Sequence, residues 1–388
     1  MRTFTGWGST VGTVSWYPDA GLVAAAHGGY GDSIRVYSTE DGSEKLRIEA
    51  TEPDNGFGSA AVSPDGRMVA AISSGGRYVT IWDGVFGTLF DRLESLQEVR
   101  SLEWCPGRSG VLAAAGSEGV QVWDVLSLHH QVLSLLRLGE TAGCVAWSPD
   151  GNMLAVGLSS RVEIWSPWRP ALLVSAPTWN VVLSLAWSPD GFHLACLSLF
   201  NREYDDGKAL PVSCRGTSGI GKVTIWDTAA TYSQPTTLLN LSLVGDALIP
   251  INWRPWSASG HSSMPMLLDW APNSTKLAAG RREREFSQWF LDPGGCHLIS
   301  ETGVAVWRIG TGGPVSVLNL TGPVRPVSSV SWSPDGSRIA AGSDDGCIRI
   351  WRVGPSEPVP ESLAEARQAL MVLFFVIGLV LLRPHIKD

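Results

Sequence analysis

The stretch VSSVSWSPDGSRIAAGSDDGCIRIWRV, at Val327–Val353, carries the pattern from which we predict the fold. It begins with apolar residues that alternate with serines as far as Trp332, and the turn sequence Ser-Pro-Asp-Gly follows. A run of small residues leads to a second turn, Asp-Asp-Gly, and to a third segment that includes Trp351. Pro-Asp-Gly and Asp-Gly favour tight turns, so we predict three antiparallel strands in a meander. One meander cannot bury both of its faces, so it needs copies beside it.

These copies recur along the chain at intervals of about 40 residues, which is typical of the four-stranded blades of a β-propeller. The position of Trp332 recurs at residues 16, 62, 104, 147, 187 and 270, with Val62 as the one residue that is not tryptophan. We therefore predict an all-β fold, a seven-bladed propeller over residues 1–353. The tryptophans expected to pack between blades as structural residues are Trp16, Trp82, Trp104, Trp123, Trp147, Trp165, Trp187, Trp226, Trp270, Trp307, Trp332 and Trp351.

Insertions interrupt the fifth and sixth copies. Residues Phe200–Gly221 are polar and rich in glycine, and they delay the third strand of the fifth copy. Residues Arg281–Thr302 delay the third strand of the sixth copy in the same way. We predict both to be inserted loops, and Leu241–Met264 to be a long linker between the two copies. A degenerate eighth unit around Trp253 is less favoured, because it lacks the small-residue strand and the Asp-Gly turn.

The two ends of the repeat region are expected to meet. Each unit supplies three strands, and its outer strand comes from the residues that precede the next unit. After Val353 the sequence Gly-Pro-Ser-Glu-Pro offers no such strand, whereas residues 1–5 are spare at the other end. We predict that residues 1–5 form the outer strand of the seventh blade, which closes the ring. This prediction also implies a complete N-terminus.

The composition argues against several classes of function. A formal net charge of −8 does not favour nucleic acid as a partner. Six cysteines lie apart without a C-x-x-C pair, so we expect reduced thiols and no zinc. Seven histidines show no metal-ligand spacing, and we expect no cofactor. The N-terminal residues contain no apolar core of a secretory signal.

The C-terminal region has a different character. Residues 354–368 are predicted to be a polar linker, and residues 369–382, ALMVLFFVIGLVLL, an apolar helix without charge. Such a helix is about 21 Å long, shorter than the roughly 30 Å of a bilayer core. It is apolar on every face, however, and Arg367 and Arg383 can snorkel towards the lipid headgroups. We favour a membrane anchor; the alternatives are a helix docked on a partner or on the propeller, and an unusual C-terminus.

Several motifs resemble the WD40-repeat family. They are Trp82-Asp83, Trp123-Asp124, Trp226-Asp227 and four Ser-Pro-Asp-Gly turns, and the resemblance covers residues 1–353. The family's Gly-His dipeptide is absent, so its buried His–Ser–Trp hydrogen-bond network is expected to be missing. The resemblance implies a non-catalytic scaffold that binds other proteins through its faces and its insertion loops.

One motif keeps an enzymatic alternative open. Gly216–Lys222 matches the start of a phosphate-binding loop, G-x-x-x-x-G-K. The next residue is Val223 instead of serine or threonine, and a strand follows where a helix is required. We therefore favour a flexible inserted loop over a nucleotide-binding enzyme. The aspartates of the Ser-Pro-Asp-Gly turns are expected to form turns, not to act as acids or bases.

The second insertion contains the most distinctive charged patch, with Arg281, Arg282 and Arg284 as candidate partner contacts. A solvated loop is the alternative. VRSLEWCPGRSGVL, followed by a short loop and VQVW, and the long insertion before GVAVWRIG are similar to the arrangement in the aladin-like nuclear-pore subgroup, which implies a nuclear-envelope role. A membrane-anchored exchange factor and a substrate-recruiting subunit of a ubiquitin ligase are further alternatives. We expect the chain on the cytoplasmic side of the nuclear envelope or endoplasmic reticulum, or else soluble in the cytoplasm.

Overall fold

The computed structural model describes residues 1–4, 10–28, 33–50, 57–73, 76–95, 98–127, 131–178, 180–200, 219–228, 242–251, 267–281, 303–310, 313–323 and 325–354. These residues form seven four-stranded antiparallel sheets.

The strands of the first four blades follow one another in chain order after a short N-terminal strand, β1 (Arg2–Phe4). Blade one contains β2 (Thr10–Trp16), β3 (Leu22–Gly28), β4 (Ser33–Ser38) and β5 (Glu44–Glu49). Blade two contains β6 (Phe57–Val62), β7 (Met68–Ser73), β8 (Tyr78–Asp83) and β9 (Leu89–Glu94). Blade three contains β10 (Val99–Trp104), β11 (Val111–Gly116), β12 (Gly119–Asp124) and β13 (Gln131–Arg137). Blade four contains β14 (Cys144–Trp147), β15 (Leu154–Gly157), β16 (Arg161–Ser166) and β17 (Ala171–Pro177).

The remaining three blades follow in the same order. Blade five contains β18 (Val182–Trp187), β19 (His193–Phe200), β20 (Gly219–Asp227) and β21 (Ser242–Ile251). Blade six contains β22 (Leu268–Trp270), β23 (Lys276–Arg281), β24 (Gly303–Gly310) and β25 (Gly313–Thr321). Blade seven contains β26 (Val327–Trp332), β27 (Arg338–Ser343) and β28 (Ile348–Arg352).

The sheets form a closed ring. In blades one to six the strands are hydrogen-bonded in chain order, and in blade seven the order is β26, β27, β28 and β1. The first strands of the blades contact one another in sequence, from β2 through β6, β10, β14, β18 and β22 to β26, which returns to β2. These first strands are therefore the inner ones. The predicted all-β, seven-bladed propeller is confirmed.

The Ser-Pro-Asp-Gly sequences form the turn between the first and second strands. In blade two the Ser63 hydroxyl donates to Asp65 Oδ1 at 2.7 Å and accepts from the Met68 amide at 2.9 Å. Gly66 has a φ of 72°, which glycine adopts without strain. The other three turns of this sequence contain the same serine–aspartate hydrogen bond. These aspartates thus hold turns, as their sequence context indicates.

Small residues in the second strands let neighbouring sheets approach closely. Gly342 of β27 illustrates this at the junction of blades seven and one. A Cβ atom there would lie 2.5 Å from Val11 Cγ1, closer than real carbon atoms pack. The buried apolar residues form clusters that join neighbouring blades, such as Phe4, Val11 and Ile348 across blades one and seven. The core therefore lies between the sheets.

The inner-strand tryptophans connect neighbouring blades by hydrogen bonds. The Trp104 indole nitrogen donates to the carbonyl oxygen of Ala61 in blade two at 3.0 Å. Trp16, Trp147, Trp187 and Trp270 make the equivalent bond to the preceding blade. Trp332 is the exception, because within the described part of the chain its buried Nε1 finds no acceptor.

Because only Trp104 makes this hydrogen bond, we expect the same substitution to reduce stability by different amounts at Trp104 and at Trp332. Trp104 is 4% and Trp332 5% exposed, so replacement by phenylalanine removes similar buried area. Only Trp104→Phe removes a hydrogen bond, and we expect it to lower the free energy of unfolding by about 1 kcal/mol more than Trp332→Phe. Urea unfolding of both variants would measure the difference. Equal losses would contradict a stabilising role for the inter-blade indole bonds.

The N-terminal strand closes the seventh blade. Arg2 pairs with Ile350 and Phe4 with Ile348 in the antiparallel ladder of β1 and β28. Phe4 is buried, with its ring centroid 5.3 Å from that of Tyr37 in blade one. Strand β1 therefore contacts both the last and the first blade.

Side chains add a second connection between these blades. Arg338 of blade seven donates to Thr39 Oγ1 at 2.7 Å and to the Ala20 carbonyl at 2.8 Å, both in blade one. Arg2 donates to the carbonyl oxygen of Thr39 at 2.8 Å and also to that of Glu40. Blade one is thus held to blade seven by arginines from both ends of the repeat region.

The structure corrects the expected boundaries in blades five and six. The linker prediction is wrong for Ser242–Ile251, which is β21, the outer strand of blade five. This strand was not recognised because a long interval separates its residues from their neighbours in the repeat. Phe200 and Gly219–Gly221 belong to strands β19 and β20, since the ladder between them extends to the pair Phe200–Ile220.

The predicted C-terminal helix at residues 369–382 lies outside the described residues, as do residues 355–368 and Trp253. Within the described ranges, no helix has the length and apolar character needed to cross a membrane.

Candidate interaction surface

The predicted repeat tryptophans are structural and do not form a binding site. Six of them end inner strands, and six lie in the third strands of their blades. All are buried except Trp165, which is partly buried. Since they pack between sheets, a partner at the surface cannot reach most of their area.

In two blades the indole nitrogen of the third-strand tryptophan donates a hydrogen bond to a side chain of the same strand. The Trp82 indole donates to Thr80 Oγ1 at 2.9 Å, and that of Trp165 donates to Glu163 Oε2 at 2.9 Å. In blade seven, Arg349 and Asp345 form an ion pair at 2.8 Å, with both side chains less than 10% exposed. Residues of the blade itself therefore supply these three contacts.

The structure describes one of the three arginines that are predicted to contact a partner. Arg281 is the last residue of β23, where its backbone pairs with Gly303. Arg282 and Arg284 lie outside the described residues. The proposal that these arginines contact a partner therefore stays a prediction from the sequence.

The second half of the phosphate-loop motif forms a strand. Lys222 lies in β20, paired with Ser198 of β19 and with Leu248 of β21. A strand in the middle of a sheet has no free amide groups of a helix N-terminus to offer a phosphate. The structure thus argues against nucleotide binding by Gly219–Lys222. Across the described ranges, moreover, no three His, Cys, Asp or Glu side chains lie together as metal ligands would.

Sequence reasoning missed an apolar surface on blades two and three, which we call the rim patch. Apart from Met1, every large apolar side chain that is exposed in the described part of the chain belongs to it. Phe86 is the most exposed, at 76%. The rim patch consists of Val85, Phe86, Leu89 and Phe90 of blade two and Leu126, Val132 and Leu133 of blade three.

The Trp-Asp motif itself directs part of the rim patch outwards. Asp83 Oδ1 accepts hydrogen bonds from the amides of Val85 and Phe86, at 2.8 and 2.7 Å. Asp124 Oδ1 accepts one from Leu126 in the same way, at 3.0 Å. These bonds fix the turn between the third and fourth strands. The apolar residues at its tip therefore point to solvent in a defined conformation.

The remaining residues of the rim patch lie at a β-bulge, which occurs at the start of the outer strand in both blades. In blade two Ile81 pairs with Asp91 and Trp82 with Leu89, so Phe90 is the extra residue. The corresponding extra residue in blade three is Leu133. A bulge breaks the alternation of side chains, which leaves two consecutive apolar residues exposed in each blade. Leu89-Phe90 and Val132-Leu133 are thus equivalent positions on adjacent blades.

The turn of each blade packs against the blade before it. Tyr17 of blade one donates a hydrogen bond to the Gly84 carbonyl of blade two at 2.8 Å. Gly87 has a φ of 70°, and a Cβ there would lie 2.8 Å from Leu46 Cδ1 of blade one. Leu126 follows Trp123-Asp124 in blade three as Val85 follows Trp82-Asp83 in blade two, so we expect the turn of blade three to face blade two in the same way. The rim patch thus lies on two neighbouring blades, whose inner strands β6 and β10 contact each other.

Blade one shows that this position need not be apolar. Its outer strand begins with Glu44 and Lys45, where blade two has Leu89 and Phe90. Beyond Phe90, strand β9 continues with charged residues of both signs, Asp91, Arg92 and Glu94. A cluster of exposed large apolar side chains commonly marks an interaction site. The sequence signal was the apolar GVFGTLF directly after a Trp-Asp pair, where turn residues are usually polar.

Comparisons with known proteins agree with this architecture. Residues 138–166 and 314–352 match the family model described as "WD domain, G-beta repeat". The chain is 24% identical over 302 residues to the WD repeat-containing protein WDS homolog of Arabidopsis thaliana, covering 69% of this chain and 49% of that protein. It is 24% identical over 326 residues to Cell division cycle 20.1, cofactor of APC complex, from the same species, covering 68% of this chain and 65% of that protein.

A solved structure shows the same fold. A chain in the crystal structure of the Mitotic Checkpoint Complex superposes with a TM-score of 0.67, at 18% identity, covering 91% of each chain. The chain spans about half to two thirds of the length of the curated relatives named above.

Proposed function

Because the chain belongs to the WD40-repeat family, we propose that it is a non-catalytic scaffold that binds partner proteins on its propeller. One relative is named as a cofactor of the APC complex, and a similar propeller occurs in a crystallised complex. These names support a role in protein assembly. The observation that carries the proposal is the rim patch, which exposes aromatic and aliphatic side chains on a rigid frame.

The rim patch has the physical properties of a contact surface. Phenylalanine side chains bury large apolar areas and frequently dominate the binding energy of an interface. The Asp83 hydrogen bonds hold Val85 and Phe86 in place before binding, so little conformational entropy is lost when a partner docks.

We expect Leu89→Glu with Phe90→Lys to abolish partner capture at this surface. The double change gives blade two the residues that blade one carries at the same positions, so the fold should tolerate it. Affinity purification of the tagged chain, followed by mass spectrometry, measures the outcome. At least one protein enriched by the wild type should fall tenfold or more with the variant.

The matched control is Glu44→Lys with Lys45→Glu, which alters the equivalent positions of blade one and should leave capture unchanged. Thermal melting checks that both variants remain folded. If the variant of blade two retains every partner at wild-type levels, the rim patch is not the binding surface.

A finer part of the proposal concerns the C-terminal region. We infer from the sequence that Ala369–Leu382 tethers the propeller to the cytoplasmic side of an intracellular membrane. Its apolar character and its flanking Arg367 and Arg383 support this. The aladin-like, exchange-factor and ubiquitin-ligase alternatives remain predictions from the sequence.

Removal of residues 364–388 is therefore expected to release the protein from membranes. Cell fractionation and localisation of a tagged chain, with and without these residues, provide the measurement. The full chain should sediment with membranes and the shortened chain should be soluble. A diffuse, soluble full chain would exclude the tether.

A further inference from the structure

The chain leaves the propeller on the face that carries the turns of the rim patch. The Val353 amide donates to the Ser337 carbonyl at 2.9 Å, which fixes the end of blade seven. The amides of Gly84 in blade two and Val125 in blade three make the equivalent bonds, at 2.7 and 2.8 Å. Gly354 therefore corresponds to Val85 and Leu126, the first rim-patch residues of their blades.

The segment beyond the propeller is long enough to reach that surface. Blade one contacts both blade seven and blade two, so a single blade separates the exit from the rim patch. Packed sheets lie about 10 Å apart, and the distance is greater at the rim. The 354–368 linker can extend over roughly 50 Å. The apolar segment that follows can therefore lie on blades two and three.

We propose that Ala369–Leu382 binds the rim patch of its own propeller and covers it until a partner or a membrane takes its place. This inference rests on the proposed function, because it treats the rim patch as a binding surface and adds its regulation. The segment contains no charge over its whole length. If it did not dock, two apolar surfaces of one molecule would be exposed to water together, and burying apolar area gains about 25 cal/mol per Å².

Connectivity favours this occupant over others. A covalent connection of this length raises the effective concentration of the segment at the patch, to the millimolar range for short linkers, so even a weak contact is populated. No other group of exposed large apolar residues occurs in the described part of the propeller.

Hydrogen–deuterium exchange of the full chain, without membranes, tests the contact against a chain that lacks residues 364–388. We expect amides in 84–94 and 125–133 to exchange at least fivefold faster in the shortened chain. The full chain with Leu89→Glu and Phe90→Lys should show the same acceleration. Residues 41–49 of blade one should exchange equally in all three and serve as the control. Equal exchange at the rim patch in the full and shortened chains would overturn the proposal.

A photo-crosslink distinguishes the occupants. The full chain with p-benzoylphenylalanine in place of Phe86 should crosslink to 369–382 within one molecule, with a yield independent of protein concentration. Crosslinked dimers whose yield rises with concentration, or protection that arises only with phosphatidylcholine vesicles, would overturn the contact within one chain.

The partner experiment separates this inference from the proposed function. The shortened chain should capture rim-patch partners several-fold better than the full chain. If the exchange result holds but the variant of blade two captures every partner normally, the segment binds the patch and the proposed function fails. If capture depends on the patch but exchange is equal in the two chains, the proposed function holds and this inference fails.

Discussion

A chain that lacks residues 2–5 is expected to lose its single cooperative melting transition. Strand β1 is the fourth strand of blade seven, and its loss exposes the edge of β28. The loss also removes Phe4, which is buried against Tyr37. Because β1 contacts blades seven and one, the deletion opens the ring at its junction. Differential scanning calorimetry should show a broad transition or a large fall in Tm.

A pair of point variants separates packing from strand pairing. Phe4→Ala is expected to lower the free energy of unfolding by about 3 kcal/mol, the usual cost of removing a buried aromatic ring. Thr3 lies between Arg2 and Phe4 on the exposed side of the strand, so Thr3→Ala should cost little. Denaturant unfolding of both variants provides the comparison. A deletion chain that melts like the wild type would show that blade seven is stable without β1.

A second large effect on stability is expected from two acidic side chains on inner strands of the propeller. Glu103 and Asp269 each precede the last tryptophan of an inner strand, in blades three and six. The Glu103 carboxyl group accepts a hydrogen bond from the Trp147 amide at 2.7 Å, and that of Asp269 accepts one from the Trp332 amide at 2.6 Å. Each side chain therefore connects its blade to the next one.

Their surroundings favour the neutral acid. Burial raises the pKa of Glu103 to about 8, which the Trp147 hydrogen bond opposes and the negative charge of Asp269 reinforces. Burial likewise raises the pKa of Asp269 to about 7, against the hydrogen bond from Trp332. Unfolded carboxyls titrate near pH 4, so between pH 4 and 8 the folded state binds more protons than the unfolded state.

The free energy of unfolding is therefore expected to fall as the pH rises from 5 to 8. The stability that these groups provide is fully present below the unfolded pKa and is lost as the pH passes the folded values. The loss is roughly 3 kcal/mol for each residue. Glu103→Gln with Asp269→Asn should flatten this dependence, since an amide keeps the acceptor oxygen and carries no charge.

Urea unfolding at pH 5 and at pH 8 measures the effect. The double variant should be more stable than the wild type at pH 8 and similar to it at pH 5. Glu49→Gln, at an exposed position of blade one, is the control and should leave the dependence unchanged. If the wild type were more stable at pH 8 than at pH 5, and the double variant equally so, the two acids would be charged in the folded state without cost.

The repeat and its turns could be predicted because their causes are local. The Ser-Pro-Asp-Gly turn is held by a hydrogen bond between a serine and an aspartate two residues later, so its sequence suffices to recognise it. The pairing of β1 with β28 could also be predicted. The seventh repeat has only three strands of its own, and the N-terminal residues are the one spare segment that can supply the fourth. Strand β21 was missed because its partner lies across an inserted segment.

The rim patch was harder to predict from the sequence than the repeat was. The exposure of Phe86 and Phe90 depends on a turn fixed by Asp83 and on a bulge opposite Trp82. Phenylalanine residues in or beside a strand are usually buried, so the repeat pattern alone would place Phe86 and Phe90 in the core. The structure was needed to show that they point to solvent.

By itself the sequence determined the number of blades and the turns within them, because alternation and turn chemistry act over a few residues. Only the tertiary structure decided which apolar residues remain uncovered and which acids face a neighbouring blade. Those properties depend on contacts between residues far apart in the chain, such as Asp269 with Trp332, and these contacts exist only after the ring has closed.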